Sequence, residues 1–426
     1  MSNAQISRAD EDSAAEAVES YFRDTSSSLD PYPAYDRLRE VAPVYWSEPL
    51  GYWIVTGYEE GEALYRNANL SRHEASRRQL QWLYSADDPP EVRRDIESWS
   101  STVLNMDDPD HARLRRLLQP AFTPRSVMRW TERIEAIVAD VLHQVDDRDE
   151  FDFLTAVAYP VPERVICEII GVPHADHATW KAWAQAGGAG LVSSARGITP
   201  TEEFRQTVCA GIVNWCAYFR ALFADRRQSD GDDLVSVLAR IEEDGDRLSE
   251  DELIGTCMLT IGAGHETTAN LIGNAMLALL RNPEQYRRFR DDPSLAPKVV
   301  EETLRFDSPS RSQPRVALAD IDVAGKTIRE GDVVMVTANA CNRDPSRHDG
   351  TDHFDLGRED TGHIAFAGGI HYCLGAALSR LEAGIALRQV AELDAPLELV
   401  RWPVPYKGAH GRAVAELPVR RATTPA

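Results

Sequence analysis

The sequence predicts a mainly α-helical protein with a smaller β-rich lobe, and three observations support this fold class. Helical periodicity of apolar residues runs through residues 126–170, and a second, stronger pattern covers residues 249–280. At 1.5 Å per residue, the second pattern would form a single helix about 45 Å long. Short alternating segments separated by turn residues lie within residues 44–56 and 312–345, where strands are expected.

The composition limits the classes of function to consider. The chain has 426 residues, of which 43% are hydrophobic, so it can bury a sizeable core. A net charge of −22, with no basic segment, argues against a nucleic-acid-binding protein. Residues 1–22 are acidic without an apolar core, and we expect no window with the apolar length of a membrane span. These features predict a soluble, cytoplasmic protein that binds neither nucleic acid nor membrane.

The predicted long helix carries an unusual polar segment in its middle. Ser249 followed by Glu252 forms a capping-box pattern at its start. Residues 263–268 read Ala-Gly-His-Glu-Thr-Thr, and an acid with two threonines inside an apolar helix is costly unless these groups are satisfied. In a purely structural interpretation, threonine bonds back to the preceding turn and Glu266 faces a water channel.

A glycine-rich loop within residues 363–378 presents Cys373 at the start of an apolar helical segment. The small residues 367–369 would let the backbone turn sharply, and Gly375 would permit close packing behind the sulfur. A cysteine at a helix N-terminus is shifted towards the thiolate, which is the form that binds metals. The alternative is a buried free cysteine in an ordinary turn. Reduced core positions are expected for the other five cysteines, Cys167, Cys209, Cys216, Cys257 and Cys341.

Residues 366–375 resemble the heme-binding loop of the cytochrome P-450 family. The family pattern is Phe, Gly, any, Gly, any, His or Arg, any, Cys, any, Gly, and only Ala367 departs from it, at the first glycine. One methyl group there is compatible with a turn at negative φ. Residues 263–268 match the family's oxygen-activation motif at every position, and Glu302 with Arg305 matches its Glu-x-x-Arg motif. The resemblance extends from about residue 30 to residue 418.

The resemblance implies a cytochrome P-450 fold that holds one heme b, iron protoporphyrin IX. Residues 30–426 would form a single heme-binding domain after a disordered N-terminal tail, residues 1–29. Cys373 would be the metal ligand, and the catalytic residues Glu266 and Thr267 would deliver protons. The expected cofactor contacts are His111, Arg115, Ala263, Gly264, Arg315, Phe366, His371 and Gly375. A structural ion-pair cluster is expected from Glu302, Arg305 and Arg358.

The resemblance also implies a monooxygenase that inserts one atom of O2 into a medium-sized organic substrate in secondary metabolism, as part of natural product biosynthesis. Its electrons would come from NAD(P)H through a separate ferredoxin and ferredoxin reductase, because this chain contains no flavin or ferredoxin motif. Arg113 and Arg116 are candidates for a basic patch that meets the acidic donor. We expect a monomer. Oxidative coupling, ring closure or desaturation is an alternative outcome, and a non-catalytic heme sensor or carrier is a further one.

Substrate contacts are expected from several parts of the chain. Residues 72–101 show no clear period, are interpreted as an exposed loop with a short helix, and would cover the active site. The glycine-rich segment 187–200 would form a mobile lid over a pocket that holds the substrate mostly by apolar contact. The candidate substrate-binding residues are Trp82, Leu191, His265, Arg311 and Ser312.

Overall fold

Helices make up most of the fold in a computed structural model that describes residues 7–23, 30–176, 179, 183, 201–226, 231–243, 245–310, 314–407 and 413–422. Within these residues the α-helices are α1 (Arg8–Arg23), α2 (Tyr32–Val41), α3 (Tyr58–Tyr65), α4 (Arg72–Leu80), α5 (Pro90–Ser100), α6 (Asp110–Leu118), α7 (Pro124–Met128), α8 (Thr131–His143), α9 (Pro160–Ile170), α10 (Glu202–Arg226), α11 (Leu234–Arg240), α12 (Glu250–Arg281), α13 (Pro283–Asp291), α14 (Ala296–Phe306), α15 (Ala338–Cys341) and α16 (Ala376–Ala391). The strands are β1 (Val44–Ser47), β2 (Tyr52–Val55), β3 (Leu70–Ser71), β4 (Glu150–Asp152), β5 (Glu242–Glu243), β6 (Asp246–Arg247), β7 (Pro314–Ala317), β8 (Ile321–Val323), β9 (Lys326–Ile328), β10 (Val333–Val336), β11 (Leu397–Leu399), β12 (Tyr406–Lys407), β13 (Ala413–Val414) and β14 (Pro418–Arg421). The predicted fold class is confirmed.

Residues 8–23 contradict the expectation of a disordered N-terminal tail. They form α1, which packs against α2 and β1. Ala14, Ala15 and Val18 are buried in that contact. The apolar face of α1 consists largely of alanines spaced among acidic residues, so the sequence gives little sign of burial.

The β-rich lobe is built on a five-stranded sheet with the order β1-β2-β10-β7-β3. β1 and β2 pair antiparallel, as the pattern in residues 44–56 predicts, and β2 pairs in parallel with the distant β10. β3 pairs antiparallel with β7, and Ser71 lies opposite Val316. This register brings the start of α4 next to Arg315 of β7.

The long helix α12 is the element on which much of the helical lobe packs. It spans 32 residues, and Ser249 and Glu252 form the predicted capping box with hydrogen bonds of 3.2 and 2.8 Å. Helices α5, α9, α14 and α16 contact it along its length. The close approach of α5 depends on Gly255, because a Cβ atom there would lie 2.4 Å from the carbonyl oxygen of Ser98.

By length and composition, α10 is the one described helix that could cross a membrane. The sequence-based expectation that no such window exists is therefore wrong for α10. Half of its apolar segment is buried, and the helix packs against α5, α11 and α12. A core helix of this kind has the same composition as a membrane span.

Residues 72–101 contain more helix than predicted. Helices α4 and α5 occupy most of the segment. Ser71 caps α4 by accepting a hydrogen bond from the backbone N–H of Glu74 (2.8 Å), and Pro90 begins α5. Few apolar side chains of these helices are buried, Leu80 and Ile96 among them, which explains why no helical period is visible in the sequence.

The three residues of the expected ion-pair cluster lie together in the interior. Glu302 and Arg305 of α14 are joined by two hydrogen bonds of 2.7 and 2.8 Å, and both side chains are almost fully buried. Arg305 also donates to the carbonyl oxygens of Thr351 and His353. The Nε atom of Arg358 lies 3.4 Å from Glu302. The cluster therefore fixes α14 to the segment that leads into the cysteine loop.

Another acid, Glu382 of α16, is buried away from any ion-pair partner in the described part of the chain. It is 3% exposed, and its Oε2 atom has no hydrogen bond. Burial alone raises the pKa of this carboxyl well above its usual value of 4.5. The protonated form of Glu382 is therefore favoured in the folded protein.

Replacing Glu382 by Gln should change how stability depends on pH. Above pH 4.5 the unfolded chain releases this proton while the folded chain keeps it. The contribution of Glu382 to the free energy of unfolding then falls by about 1.4 kcal/mol per pH unit until the folded-state pKa is passed. Glutamine does not ionise, so Glu382→Gln avoids this decrease in stability. The free energy of unfolding of the variant, relative to that of the wild type, should therefore increase as the pH rises.

Denaturant unfolding across a series of pH values above 4.5 measures this difference. Glu359→Gln, which removes an exposed carboxylate, is the matched control and should follow the wild type. A parallel pH dependence for wild type and Glu382→Gln would show that Glu382 is not a protonated buried acid.

Candidate active site

Cys373 lies between the glycine-rich loop and the first turn of α16. Its backbone N–H donates to the carbonyl oxygen of Phe366 (3.0 Å), which closes the loop, and the backbone N–H of Gly375 donates to the sulfur. The other five cysteines are buried, whereas the Cys373 residue is partly exposed although its sulfur is largely shielded from solvent. Among the described residues, no group of three or more His, Cys, Asp or Glu side chains could hold a metal ion. A metal at Cys373 must therefore bring most of its ligands with it.

Opposing effects act on the pKa of the Cys373 thiol. Burial raises its pKa above the usual value, while the Gly375 N–H and the guanidinium groups of Arg115 and Arg380 act in the opposite direction. Burial is the largest effect, so the net shift of the pKa is upward, although the N–H at the start of the helix favours the thiolate as the sequence predicts. A metal ion would supply the additional positive charge that ionisation requires.

The loop before Cys373 contains two residues in the left-handed region of backbone conformation. Gly369 has φ 65°, and a Cβ atom there would lie 2.5 Å from the carbonyl oxygen of Tyr65. Ala367, which stands where the family pattern has glycine, has φ 58°. The expectation of a negative φ at Ala367 is therefore wrong, and its methyl group costs about 1 kcal/mol of strain.

Apart from Gly375 and its chain neighbours, no atom of the described residues lies within 4 Å of the position that a Cβ atom of Gly375 would take. The expectation that Gly375 allows close packing behind the sulfur is therefore not met within the chain. Gly375 instead precedes α16 and directs its N–H at Cys373.

Phe366 belongs to a group of aromatic and charged side chains beside Cys373. The Arg380 guanidinium lies over its ring at 4.5 Å, and the Tyr372 ring meets it edge-on at 6.3 Å. Arg380 is held by two hydrogen bonds to Glu301 and one to the Tyr372 hydroxyl. The sequence did not single out Arg380, because one arginine in an ordinary helical segment carries no signal. Contact of Phe366 with a cofactor stays a prediction.

Four buried basic side chains converge near this loop, and we call them the basic cluster: Arg72, His111, Arg315 and His371. Their side chains or whole residues are between 2% and 6% exposed. The rings of His111 and His371 lie 4.6 Å apart. Arg72 and Arg315 each donate to the carbonyl oxygen of Pro314 at 3.2 Å. The sequence pointed to three of the four but not to Arg72.

Much of the hydrogen-bonding capacity of the basic cluster is unused. Both ring nitrogens of His111, Nε2 of His371 and Nε of Arg72 are buried and have no hydrogen-bond partner among the residues that the structure describes. Burial lowers the pKa of all four groups, and that of Arg72 to about 9. Buried donors and charges of this kind are costly unless an acceptor or counter-charge compensates them.

Two neighbouring carboxylates compensate this charge only partly. Asp107 accepts hydrogen bonds from the Ser71 hydroxyl (2.5 Å) and the backbone N–H of Arg72 (2.9 Å), and lies 3.7 Å from Nε2 of His371. Asp108 lies 3.4 Å from Nδ1 of His111 but is 54% exposed. Within the described chain, neither guanidinium of the basic cluster forms an ion pair with a carboxylate.

Arg115 follows His111 by one turn of α6, as the spacing predicts. Its guanidinium donates to the carbonyl oxygen of Tyr372 (2.7 Å) and thus joins α6 to the cysteine loop. Burial lowers the pKa of Arg115, and the nearby Cys373 sulfur acts in the opposite direction. Arg115 is therefore placed to influence the charge on that sulfur.

Arg113 and Arg116 do not form the free basic patch that was predicted. Both pair with Asp246, and Arg113 also pairs with Glu252 at the start of α12. Their charges are compensated within the chain, because β6 and the first turn of α12 face this side of α6.

The oxygen-activation motif places part of its residues on one open face of α12. Ala263, Glu266 and Thr267 are exposed there. The Thr267 hydroxyl donates to the carbonyl oxygen of Ala263 (2.7 Å), which is the structural arrangement expected from the sequence. Thr268 instead points into the interior and donates to the Ser379 hydroxyl of α16 (3.1 Å). Ser379, which the sequence did not indicate, thus helps to fix α12 to the helix that follows Cys373.

Gly264 and His265 face α9 and not the open face, contrary to the predictions. A Cβ atom at Gly264 would lie 3.3 Å from Ile166, so this glycine serves the packing of α9 on α12. His265 lies 3.9 Å from Glu163 of α9. The motif gives the order of these residues along α12 but not which way the helix is turned about its axis. The sequence therefore could not show which residues face α9 and which lie on the open face.

Of the five candidate substrate residues, Trp82 and His265 are described. Trp82 stacks on Phe204 of α10 at 6.1 Å, and its buried indole N–H has no acceptor within the described residues. Leu191, Arg311 and Ser312 lie outside the described residues, as does the predicted lid, residues 187–200.

These residues fit a heme on three chemical grounds. A porphyrin supplies the iron ligands that the chain lacks, and Cys373 supplies a sulfur. Its two carboxylates would compensate the unpartnered donors of the basic cluster. Small and polar residues of α12 leave an open face next to these groups.

Comparisons with known proteins agree with this fit. The sequence profile described as Cytochrome P450 matches residues 203–294 and 291–392. The chain is 37% identical over 405 residues to cytochrome P450 107B1 of Saccharopolyspora erythraea, covering 93% of this chain and 96% of that protein. It is 35% identical over 409 residues to the cytochrome P450 monooxygenase PikC of Streptomyces venezuelae, covering 92% and 91%.

Solved structures give the same result for the fold. The crystal structure of P450BioI in complex with hexadec-9Z-enoic acid ligated acyl carrier protein matches with a TM-score of 0.82 and 34% identity, covering 95% of this chain and 100% of that one. Sequence and fold are therefore shared over almost the whole length. The chain belongs to the cytochrome P450 family and is a heme-iron monooxygenase.

Proposed function

We propose that the chain binds heme b through the thiolate of Cys373 and inserts one oxygen atom into a medium-sized organic substrate. The observation that carries this proposal is the placement of a single partly exposed cysteine beside four buried basic side chains, three of which have unused donors among the described residues. An ordinary core cysteine would not need such neighbours.

The proposed reaction balances as RH + O2 + two electrons + two protons giving ROH + H2O. A C–H bond is replaced by C–O–H, and the second oxygen atom leaves as water. When bound, the heme supplies the iron at which O2 is reduced, and a thiolate ligand favours cleavage of the O–O bond. The electrons come from NAD(P)H through a separate ferredoxin reductase and ferredoxin.

The chain orients and stabilises the thiolate by short-range contacts. The hydrogen bond from the Cys373 N–H to the Phe366 carbonyl fixes the backbone, and the Gly375 N–H donates to the sulfur. Arg115 and Arg380 place two positive charges nearby without forming a direct ion pair to it. These groups favour the ionised sulfur and temper its electron donation.

Protons reach the reaction through the open face of α12. The Glu266 carboxyl is exposed there and can exchange protons with solvent. The Thr267 hydroxyl donates to Ala263, so its oxygen remains free to accept a hydrogen bond from a water molecule. We assign Glu266 as the proton source and Thr267 as the residue that holds the water in place.

The substrate is a natural product held mostly by apolar contact. Trp82, Met106, Phe204 and Leu259 are partly buried hydrophobic side chains at the edge of the core and can supply that contact. The solved relative named above carries a fatty acid on an acyl carrier protein. A carrier-bound substrate is therefore the second form to test, after the free molecule.

We expect the enzyme to act as a cytoplasmic monomer. Its electron donor would dock at the surface outside the cysteine loop. Met128, Ile370 and Tyr372 are exposed there, at 67%, 47% and 41%. Arg115 lies beside Tyr372, as does Arg380, which is itself paired with Glu301. Exposed apolar groups with neighbouring cations suit a small acidic protein such as a ferredoxin.

Replacing Cys373 by Ala should abolish thiolate ligation while the fold is kept. The reduced wild-type protein with carbon monoxide should show a strongly red-shifted Soret band, and Cys373→Ala should lose it. Cys257→Ala, which removes a buried thiol of α12, is the control and should keep the band. The same band in Cys373→Ala would refute the ligand assignment.

Replacing Thr267 by Ala should keep heme binding but uncouple electron use from product formation. Without the hydroxyl, water is no longer held on the open face, and we expect roughly tenfold less product per electron, the remainder appearing as hydrogen peroxide. NAD(P)H consumption, product and peroxide are measured with redox partners and a substrate found by spectral titration.

Thr303→Ala is the matched control, because its hydroxyl makes the same bond to the preceding turn in α14 but is fully buried. It should keep the wild-type ratio of product to electrons. An unchanged ratio in Thr267→Ala would rule out the proposed role in proton delivery.

A further inference from the structure

Arg72 is a buried cation that the function proposed so far does not use. Because Ser71 of β3 lies opposite Val316 of β7, Arg72 follows at the position opposite Arg315. One nitrogen of each guanidinium donates a hydrogen bond of 3.2 Å to the same acceptor, the carbonyl oxygen of Pro314. The distance between these two nitrogens therefore cannot exceed the sum of the two hydrogen-bond lengths. Each guanidinium is therefore exposed to the positive charge of the other.

Nothing negative in the described structure compensates this pair of cations directly. Asp107 accepts hydrogen bonds from the backbone N–H groups of Arg72 and His73 and from the Ser71 hydroxyl, not from either guanidinium. The Nε atom of Arg72 is buried without an acceptor, and the residue is only 6% exposed. Arginine cannot relieve such a conflict by losing its proton at neutral pH, so an anion is needed.

The residues next to Arg72 also have unused hydrogen-bond donors, which supports an anion site at this position. Arg315, His371 and His111 form the rest of the basic cluster, and the two histidines also have buried nitrogens without partners. The planar guanidinium group donates two parallel hydrogen bonds, a geometry that matches a carboxylate. The site therefore suits a ligand with more than one carboxylate.

We propose that Arg72 binds a carboxylate of the heme together with Arg315, and that Asp107 is the positioning residue that fixes the backbone of Arg72. The inference rests on the proposed heme site and adds a residue to it that no sequence motif indicates. A substrate carboxylate has the same chemistry, and the experiment below separates the two sources.

The rate of heme loss from the full-chain holoenzyme tests the assignment. Transfer of heme to excess apomyoglobin, followed by absorbance, should be about tenfold faster or more for Arg72→Met, because a charge-assisted hydrogen bond is lost. The rate of heme loss from Arg72→Lys should lie between those of the wild type and Arg72→Met, because lysine keeps the charge but lacks the planar guanidinium group. Arg78→Met removes a partly exposed arginine of the same helix and should match the wild type.

A heme with blocked carboxylates separates carboxylate binding from packing. When the full chain is reconstituted with iron protoporphyrin IX dimethyl ester, wild type and Arg72→Met should lose the cofactor at equal rates. The heme-free variant should be at least as stable as the heme-free wild type, because one buried cation has been removed. A residue needed only for packing would lower that stability and speed the loss of both cofactors.

Three results would overturn the inference. The first is an equal rate of heme loss from the wild type and from Arg72→Met. The second is that Arg72→Met speeds the loss of the dimethyl ester as much as it speeds the loss of heme. The third is unchanged heme loss with abolished fatty-acid binding, measured by spectral titration, which would assign Arg72 to a substrate carboxylate. A wild type without thiolate-ligated heme would instead refute the proposed function, so the two failures are distinguishable.

Discussion

Buried positive charge without sufficient negative charge is the constraint on which the site depends. Four basic side chains lie in the interior, three of them with unused donors, and within the described residues neither guanidinium pairs with either of the two nearby carboxylates. The neighbouring Cys373 has the opposite difficulty, because burial disfavours its thiolate. One molecule that carries a metal ion and two carboxylates resolves both problems, which is why a heme fits this chain better than a metal ion alone.

The fold assembles this site from segments that are distant in the sequence. The β3–β7 pairing brings Arg72 to Arg315, and Asp107 joins the start of α4 to the residues before α6. The buried pair of Glu302 and Arg305 fixes the segment that precedes the cysteine loop. Helix α12 then carries the open face and is fixed to α16 by its packing. Small changes in these contacts therefore act on the site through backbone position and not through direct contact.

Local motifs predicted much of the site, whereas long-range pairing escaped the sequence. Cys373, the Glu302–Arg305 pair and the capping box of α12 depend on fixed spacings within one element, which a sequence displays. Arg72 meets Pro314 across 242 positions of the chain, so no local pattern indicates it. Helix rotation is equally invisible, which explains why Gly264 was expected on the open face but lies on Ile166.

Backbone conformation and weak burial patterns account for the remaining differences. Ala367 adopts a positive φ because the loop needs it, although alanine itself favours a negative one. The helix over residues 8–23 buries mainly alanines, which leave little hydrophobic signal among acidic neighbours. In both cases tertiary structure overrides a local preference.

X-ray absorption at the iron edge of the purified protein tests the central claim most directly, because it reports the atoms bound to the metal. The account predicts iron with four porphyrin nitrogens and one sulfur ligand, contributed by Cys373. Iron bound only by nitrogen and oxygen, or a protein that holds no iron, would contradict it and leave the basic cluster without its proposed partner.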